Sequence, residues 1–177
     1  MRYWLPLLAL VLLLALIAPL PVRTEPHDSV RYPLALSSGS PAFQEDLAII
    51  VNKTNPIEAM TLAELRDVFL AERSRWPNGR KVTITMLDIG NPERDVVLRT
   101  IYRMREADFN RNFLRARFAG ETTEEPKLLA SPTNMVRFVF NAPGAIGYVR
   151  ASSLDGSVKV LRIDGRAPGE QGYRIRF

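Results

Sequence analysis

The chain has no cysteine, and His27 is its only histidine. Without cysteine there are no disulfides, no cysteine-linked lipid anchor, no thiolate metal site and no cysteine nucleophile. With histidine confined to residue 27, the sequence beyond it has no imidazole base, which removes Ser-His-Asp and Cys-His catalysis and most zinc chemistry. A strong charge imbalance is also missing. Lys and Arg number 24 against 19 Asp and Glu, a net charge of +5. That balance is too diffuse to argue for nucleic acid and is compatible with a small anion or an anionic partner.

Only one long hydrophobic run is present, and it lies at the start. Tyr3 to Leu20 carries no charge, and Leu7 to Ala18 is almost pure Leu, Ala, Val and Ile behind Arg2. Residues 1–23 therefore read as a secretory signal peptide or an N-terminal membrane anchor. Pro19 directly after Ala18 disfavours cleavage there, and the run approaches the ~17–25 residues that span a bilayer. In either case the rest of the chain is expected outside the cytoplasm, in the periplasm or an equivalent compartment, with membrane contact only through this segment. Residues 24–46, rich in Pro, Ser and charge, read as a linker or arm, in which Ser37-Ser38-Gly39-Ser40 is a loop by composition.

Residues 47–165 read as one α/β domain, and 166–177 as a basic C-terminal tail. Leu47–Val51, LAIIV, is a continuous apolar run expected to be buried on both faces in a mostly parallel sheet. Thr61-Leu62-Ala63-Glu64 matches a capping box, and Leu62, Leu65, Val68 and Phe69 form the apolar stripe of a helix ending near Leu70. Trp76 follows beside the turn Pro77-Asn78-Gly79, where tryptophan usually seals the edge of a core. Val82–Leu87 alternates as a strand, and Ala145–Val149 is a second buried one. Between them Ser131-Pro132 opens a short helix with Met135, Phe138 and Val139 inward, stopped by Asn141-Ala142-Pro143-Gly144. Val158–Ile163 reads as an edge strand. The expected architecture is a single three-layer domain with helices on both sheet faces. Its core should contain Ile49, Leu65, Phe69, Ile84, Ile101, Phe113, Phe138 and Ile146.

Function is expected where the strand Val82–Leu87 passes through a tight turn into a helix. Gly90 and Asn91 break the strand, Pro92 suits the first helical position, and Glu93 and Asp95 suit the first turn. Val97, Ile101 and Met104 then face the sheet. A helix opening at a strand end presents free N–H groups to small anions. The candidate ligand-binding residues are Asp88, Gly90, Asn91, Arg94 and Asp95, with Arg94 expected at the surface as the compensating charge. Asp88 and Asp95 are a carboxylate pair, but carboxylates at a helix start are more often caps than acid–base catalysts, and no enzymatic activity is expected. Six arginines lie between positions 99 and 117, at 99, 103, 105, 111, 115 and 117, against Glu106 and Asp108. They read as a solvated helix face, or as a patch for a lipid headgroup or an acidic partner. Asp108 is placed as the cap of that helix, with Phe109, Phe113 and Ala116 inward.

The segments LAIIVNKTNP, MTLAELRDVFLAERSRWPNG, VTITMLDIGNPERDVVLRTIY and MVRFVFNAPGAIGYV, in this order and spacing, resemble one lobe of the phosphate-type periplasmic substrate-binding proteins of ABC importers. The resemblance spans about Leu47 to Val149 and implies one lobe of a type 2 periplasmic-binding-protein fold. In that family the ligand sits between two lobes, held by helix N-termini, hydroxyls, an arginine and a carboxylate. The family's Gly-Ser-Gly-Thr turn falls here on Ile89-Gly90-Asn91-Pro92, so both hydroxyl donors are absent and Pro92 removes an N–H. The resemblance implies an exported solute-binding-like module for a small oxyanion such as phosphate, linked to ABC-type transport or sensing. The alternative is a single-lobe interaction or regulatory domain of the cell envelope that has lost its ligand, with an envelope protein or a second copy as partner. No cofactor, metal or nucleic acid is implied.

Overall fold

LAIIV is buried along its whole length because it lies one strand in from the edge of a mixed sheet. The computed structural model describes residues 45–118 and 125–177. Among the described residues the sheet has five strands. They are β1 (Leu47–Val51), β3 (Thr83–Leu87), β4 (Lys127–Leu129), β5 (Ala145–Arg150) and β6 (Lys159–Val160), in the order β4-β3-β5-β1-β6. β3 runs parallel to both β4 and β5, and β1 runs antiparallel to β5 and β6. Four strands thus point one way and β1 the other. A smaller parallel pair joins β2 (Ala59–Met60) to β7 (Arg162–Ile163).

Among the described residues four α-helices frame the sheet: α1 (Leu62–Phe69), α2 (Pro92–Val97), α3 (Glu106–Phe118) and α4 (Pro132–Asn141). The reciprocal cap at the start of α1 is present, with Thr61 N–H donating to Glu64 Oε2 at 2.8 Å and Glu64 N–H to Thr61 Oγ1 at 3.1 Å. Its stripe of Leu62, Leu65, Val68 and Phe69 is buried. Residues 147 and 148 show that both sheet faces are covered, since neighbours on a strand point opposite ways. Tyr148 packs its ring against Phe69 of α1. A side chain on Gly147 would instead collide with Met135 of α4 and with Thr85. The "PGAIGYV" segment therefore needs glycine at 147 for the approach of α4, and at 144 because a Cβ there would strike the Lys81 carbonyl.

Six of the eight expected core residues, Ile49, Leu65, Phe69, Ile84, Ile101 and Ile146, are buried, while Phe113 and Phe138 pack partly exposed against the core. Trp76 is buried and donates Nε1–H to Gly144 O at 2.9 Å, sealing the edge of the core. Other expectations need correction. The edge strand over 158–163 is broken at Leu161, whose N–H reaches Ile49 O, so its halves serve two different sheets. α3 starts before Asp108, which lies inside the first turn and holds Arg105 at 3.3 Å.

The α2 helix continues as a π-helical turn over Leu98–Tyr102 and ends on Arg103 in the left-handed region. The widened turn keeps Leu98, Ile101 and Tyr102 buried beside Val97 and leaves Met104 half-buried. The last residues are no free tail. Tyr173 and Ile175 are buried, Tyr173 Oη–H donates to Leu47 O at 2.8 Å, and Leu47 N–H donates to Ile175 O at 2.9 Å. Their alternation around Arg174 is a strand-like pattern too short to stand out in a basic segment. Residues 1–23, nearly all of 24–46, and the loop 119–124 lie outside the described residues, and so does the turn at Ser37–Ser40.

Candidate functional site

Three parallel strands end on one edge of the sheet, at Leu87, Leu129 and Arg150. In open α/β sheets ligands bind in the crevice beyond such carboxyl ends. Asp88 N–H bonds Leu129 O at 3.0 Å, which fixes the turn after β3 against β4. Gly90 takes a φ of +93°, a backbone conformation that favours glycine. Asn91 is the extended N-cap residue, but its side chain does not cap the helix. It folds back so that Nδ2 donates to Asp88 O at 2.8 Å. Pro92 occupies the first turn as expected.

Arg94 overturns the expectation placed on it. Its side chain is buried and fully engaged: Nε and Nη2 each donate to a carboxylate oxygen of Glu106 at 2.8 Å, and Nη1 donates to Leu87 O at 2.9 Å. The guanidinium also stands 5.2 Å from the Phe109 ring centre. The physical reason is one of register. Residue 94 is the third residue of α2, on the side that faces α3, and the planar fork of an arginine matches a carboxylate two bonds at a time. Hydrogen bonding from Arg94 holds the Glu106 carboxyl below the usual carboxylate range. Around this pair burial pushes the Tyr102 and Tyr148 hydroxyls above the ordinary phenol value. Tyr148 Oη accepts from Leu87 N–H at 3.0 Å, and Tyr102 Oη has no hydrogen-bond partner among the described residues.

Glu93 is withdrawn as well, accepting Arg150 Nε–H at 2.5 Å, while the other arm of Arg150 reaches Glu45 and its plane lies over the Phe177 ring. The five candidate residues therefore do not converge on one point. Asp88 and Asn91 are joined, Gly90 is exposed, and Arg94 is turned inward. Asp95 faces a separate hollow of about 580 Å³ shared with Arg99 and Arg103. Among the described residues no group of three His, Asp or Glu side chains is placed to hold a metal ion.

Two apolar side chains that the sequence reading passed over stand out on this edge. Ile89 is 66% exposed and Leu128 is 55% exposed, flanking a hollow of about 210 Å³ floored by Phe109 and Phe113. The signal for Ile89 was in the sequence: a β-branched apolar residue inside a turn, where a small polar one is usual. Leu128 belongs to a three-residue strand with no readable alternation.

The fold built around this edge resembles part of the phosphate-type substrate-binding proteins of ABC transporters. One similar structure is a Clostridium perfringens protein assigned as a phosphate ABC transporter substrate-binding protein, which holds bound phosphate. It shares 20% identity at a TM-score of 0.58 over 70% of this chain and 47% of its own. A second is an ABC-type phosphate transport receptor from Vibrio cholerae, at 19% identity and a TM-score of 0.58 over 70% of this chain and 49% of its own. The chain thus spans about half the length of the proteins it matches, as one lobe would. No protein-family model matches the sequence.

Proposed function

We propose that this chain is an exported, non-enzymatic, single-lobe module of the phosphate-binding-protein fold. Its cleft-side edge docks a cell-envelope protein or a second copy of the chain. The observation that carries this reading is the state of Arg94. All three of its nitrogens are bonded inside the domain, so the turn from Asp88 to Asp95 offers a ligand two carboxylates and no free cation. An oxyanion there would meet like charge. The exposed Ile89 and Leu128 give the same edge an apolar surface suited to a protein. The similar structures are binding proteins, in keeping with binding rather than catalysis.

The second reading, binding of a small oxyanion at the start of α2, is favoured by the phosphate held in the Clostridium perfringens structure. Calorimetry and thermal shift with phosphate and sulfate separate the two, because a ligand that binds only the native state raises its melting temperature by mass action. The docking reading expects no saturable heat and no shift at millimolar anion. It also expects Ile89→Asp with Leu128→Asp to leave the fold intact while abolishing cross-links to an envelope partner or a second copy. Saturable phosphate binding would restore the solute-receptor reading.

A further inference from the structure

The outer face of α3 is an unusual surface for a solvated helix. Arg111, Leu114, Arg115 and Phe118 fall at i, i+3, i+4 and i+7, so they share one stripe. That stripe lies opposite Phe109 and Phe113, which pack inward. Leu114 is 55% exposed and Phe118 is 83% exposed, and the exposed Arg111 and Arg115 alternate with them. At the N-terminal end the stripe runs into the hollow of about 580 Å³ whose rim carries the exposed Arg99, Arg103 and Arg105. Asp108 links the two regions, 3.3 Å from Arg105 and 3.9 Å from Arg111. Glu106, the other acid of this helix start, is consumed by the buried Arg94. Five exposed arginines therefore face Asp95 and Asp108 alone among the described residues that line the stripe and the hollow.

We propose that this stripe is a membrane-contact surface, with Leu114 and Phe118 entering the interface of an anionic phospholipid bilayer. The arginines at 99, 103, 105, 111 and 115 then engage lipid phosphates. Arginine interleaved with large apolar residues suits that boundary, because its stem lies along the apolar layer while the guanidinium stays with the headgroups. Charge decides against a second copy on this face. A two-fold interface sets a patch against itself, and here that would bring arginines together. The uncharged run from Tyr3 to Leu20 fits the same proposal, since a segment of that composition acting as a signal or anchor would bring the chain to a membrane. The proposal is independent of what docks at the cleft-side edge.

The absence of cysteine makes the test clean, since Leu114→Cys is the only thiol in the full chain and takes an environment-sensitive fluorophore at one place. The labelled chain is reconstituted with phosphatidylcholine vesicles and with phosphatidylcholine–phosphatidylglycerol vesicles. The expected result is blue-shifted emission, quenched by acyl-chain quenchers, only when phosphatidylglycerol is present. Arg111→Glu with Arg115→Glu should weaken that response by at least about thirty-fold, from roughly fivefold for each of the two basic residues lost near an anionic surface. The same label at Asn78→Cys, in an exposed turn, should stay in water throughout, and circular dichroism confirms that each variant folds. Water-like emission from position 114 on both vesicle types overturns the proposal. So does a blue shift without lipid accompanied by a doubled mass, or a response to polyglutamate without one to phosphatidylglycerol, which would assign the stripe to an acidic protein.

Discussion

Arg94 and Glu106 are joined by two parallel hydrogen bonds of 2.8 Å, with the arginine buried and the carboxylate at the domain surface. This pair fastens α2 to α3, while the third arm of Arg94 on Leu87 O fastens both to the end of β3. Arg94→Ala would leave Glu106 without its partner, Leu87 O without a donor and a void beside Phe109. Removing one member of a buried pair costs about 3–5 kcal/mol, and the partial exposure of Glu106 places this case near the lower end. The expected fall in melting temperature is on the order of 10 °C. Arg94→Lys should recover only part of it, because an ammonium cannot make the forked contact. A melting temperature within a degree or two of wild type for the alanine variant would show that the pair is dispensable.

The same pair sets an acid dependence. The Glu106 carboxyl is held below the ordinary glutamate value of 4.5 by hydrogen bonding from Arg94. A carboxyl whose folded pKa is depressed contributes stability above the unfolded value and loses it as pH falls through the folded one. Denaturation free energy should therefore decline as pH drops below about 4.5, and Glu106→Gln should be less stable at neutral pH with a shallower decline. Urea titrations across that window compare the two slopes.

Gly144 and Gly147 have different partners, and their alanine variants should differ accordingly. A methyl at 144 meets the Lys81 carbonyl, which is backbone, whereas at 147 it meets the Met135 side chain and Thr85 Oγ1. Overpacking costs about 1–3 kcal/mol, and a flexible methionine yields more readily than a carbonyl fixed beside a strand. Gly144→Ala should be the more destabilising of the two, and guanidinium midpoints at unchanged slope would rank them.

Residues 173–177 close the domain over β1, so a chain ending at Gly172 loses the Tyr173 bond to Leu47 O, the Ile175 bond from Leu47 N–H and two buried side chains. Each buried side chain is worth about 1.5–3 kcal/mol, and the two exposed backbone groups add to that, against a total stability of roughly 5–15 kcal/mol. The truncated chain is expected to lose its cooperative thermal transition. A truncated protein that melted like the full chain would show the terminus to be an accessory arm.

Much of the fold was legible in the chain because it is written in local periodicity and caps. The Thr61–Glu64 box, the stripe from Leu62 to Phe69, the continuous LAIIV run and the Ser131-Pro132 helix start each fix an element from a few neighbouring residues. The short strands at Lys127–Leu129 and Lys159–Val160 carry too few residues for a pattern, and the core positions Tyr173 and Ile175 are hidden by the arginines around them. The orientation of β1 is not local either, since a run buried on both faces reads alike whichever way its neighbours point.

The candidate site divides along the same line. The sequence by itself determined that a turn and a helix start follow β3, with Gly90 and Pro92 where the backbone needs them. It also determined that no thiol chemistry is available and that the one imidazole, His27, precedes the domain in the chain. Only the tertiary structure decided what Arg94 does, because Glu106 lies twelve residues away and meets it only when α3 packs against α2. A side chain read as a surface cation becomes a buried cross-link as soon as a carboxylate with matching geometry is folded onto it. That single pairing removes the positive charge from the turn, beside which Ile89 and Leu128 stand as exposed apolar side chains.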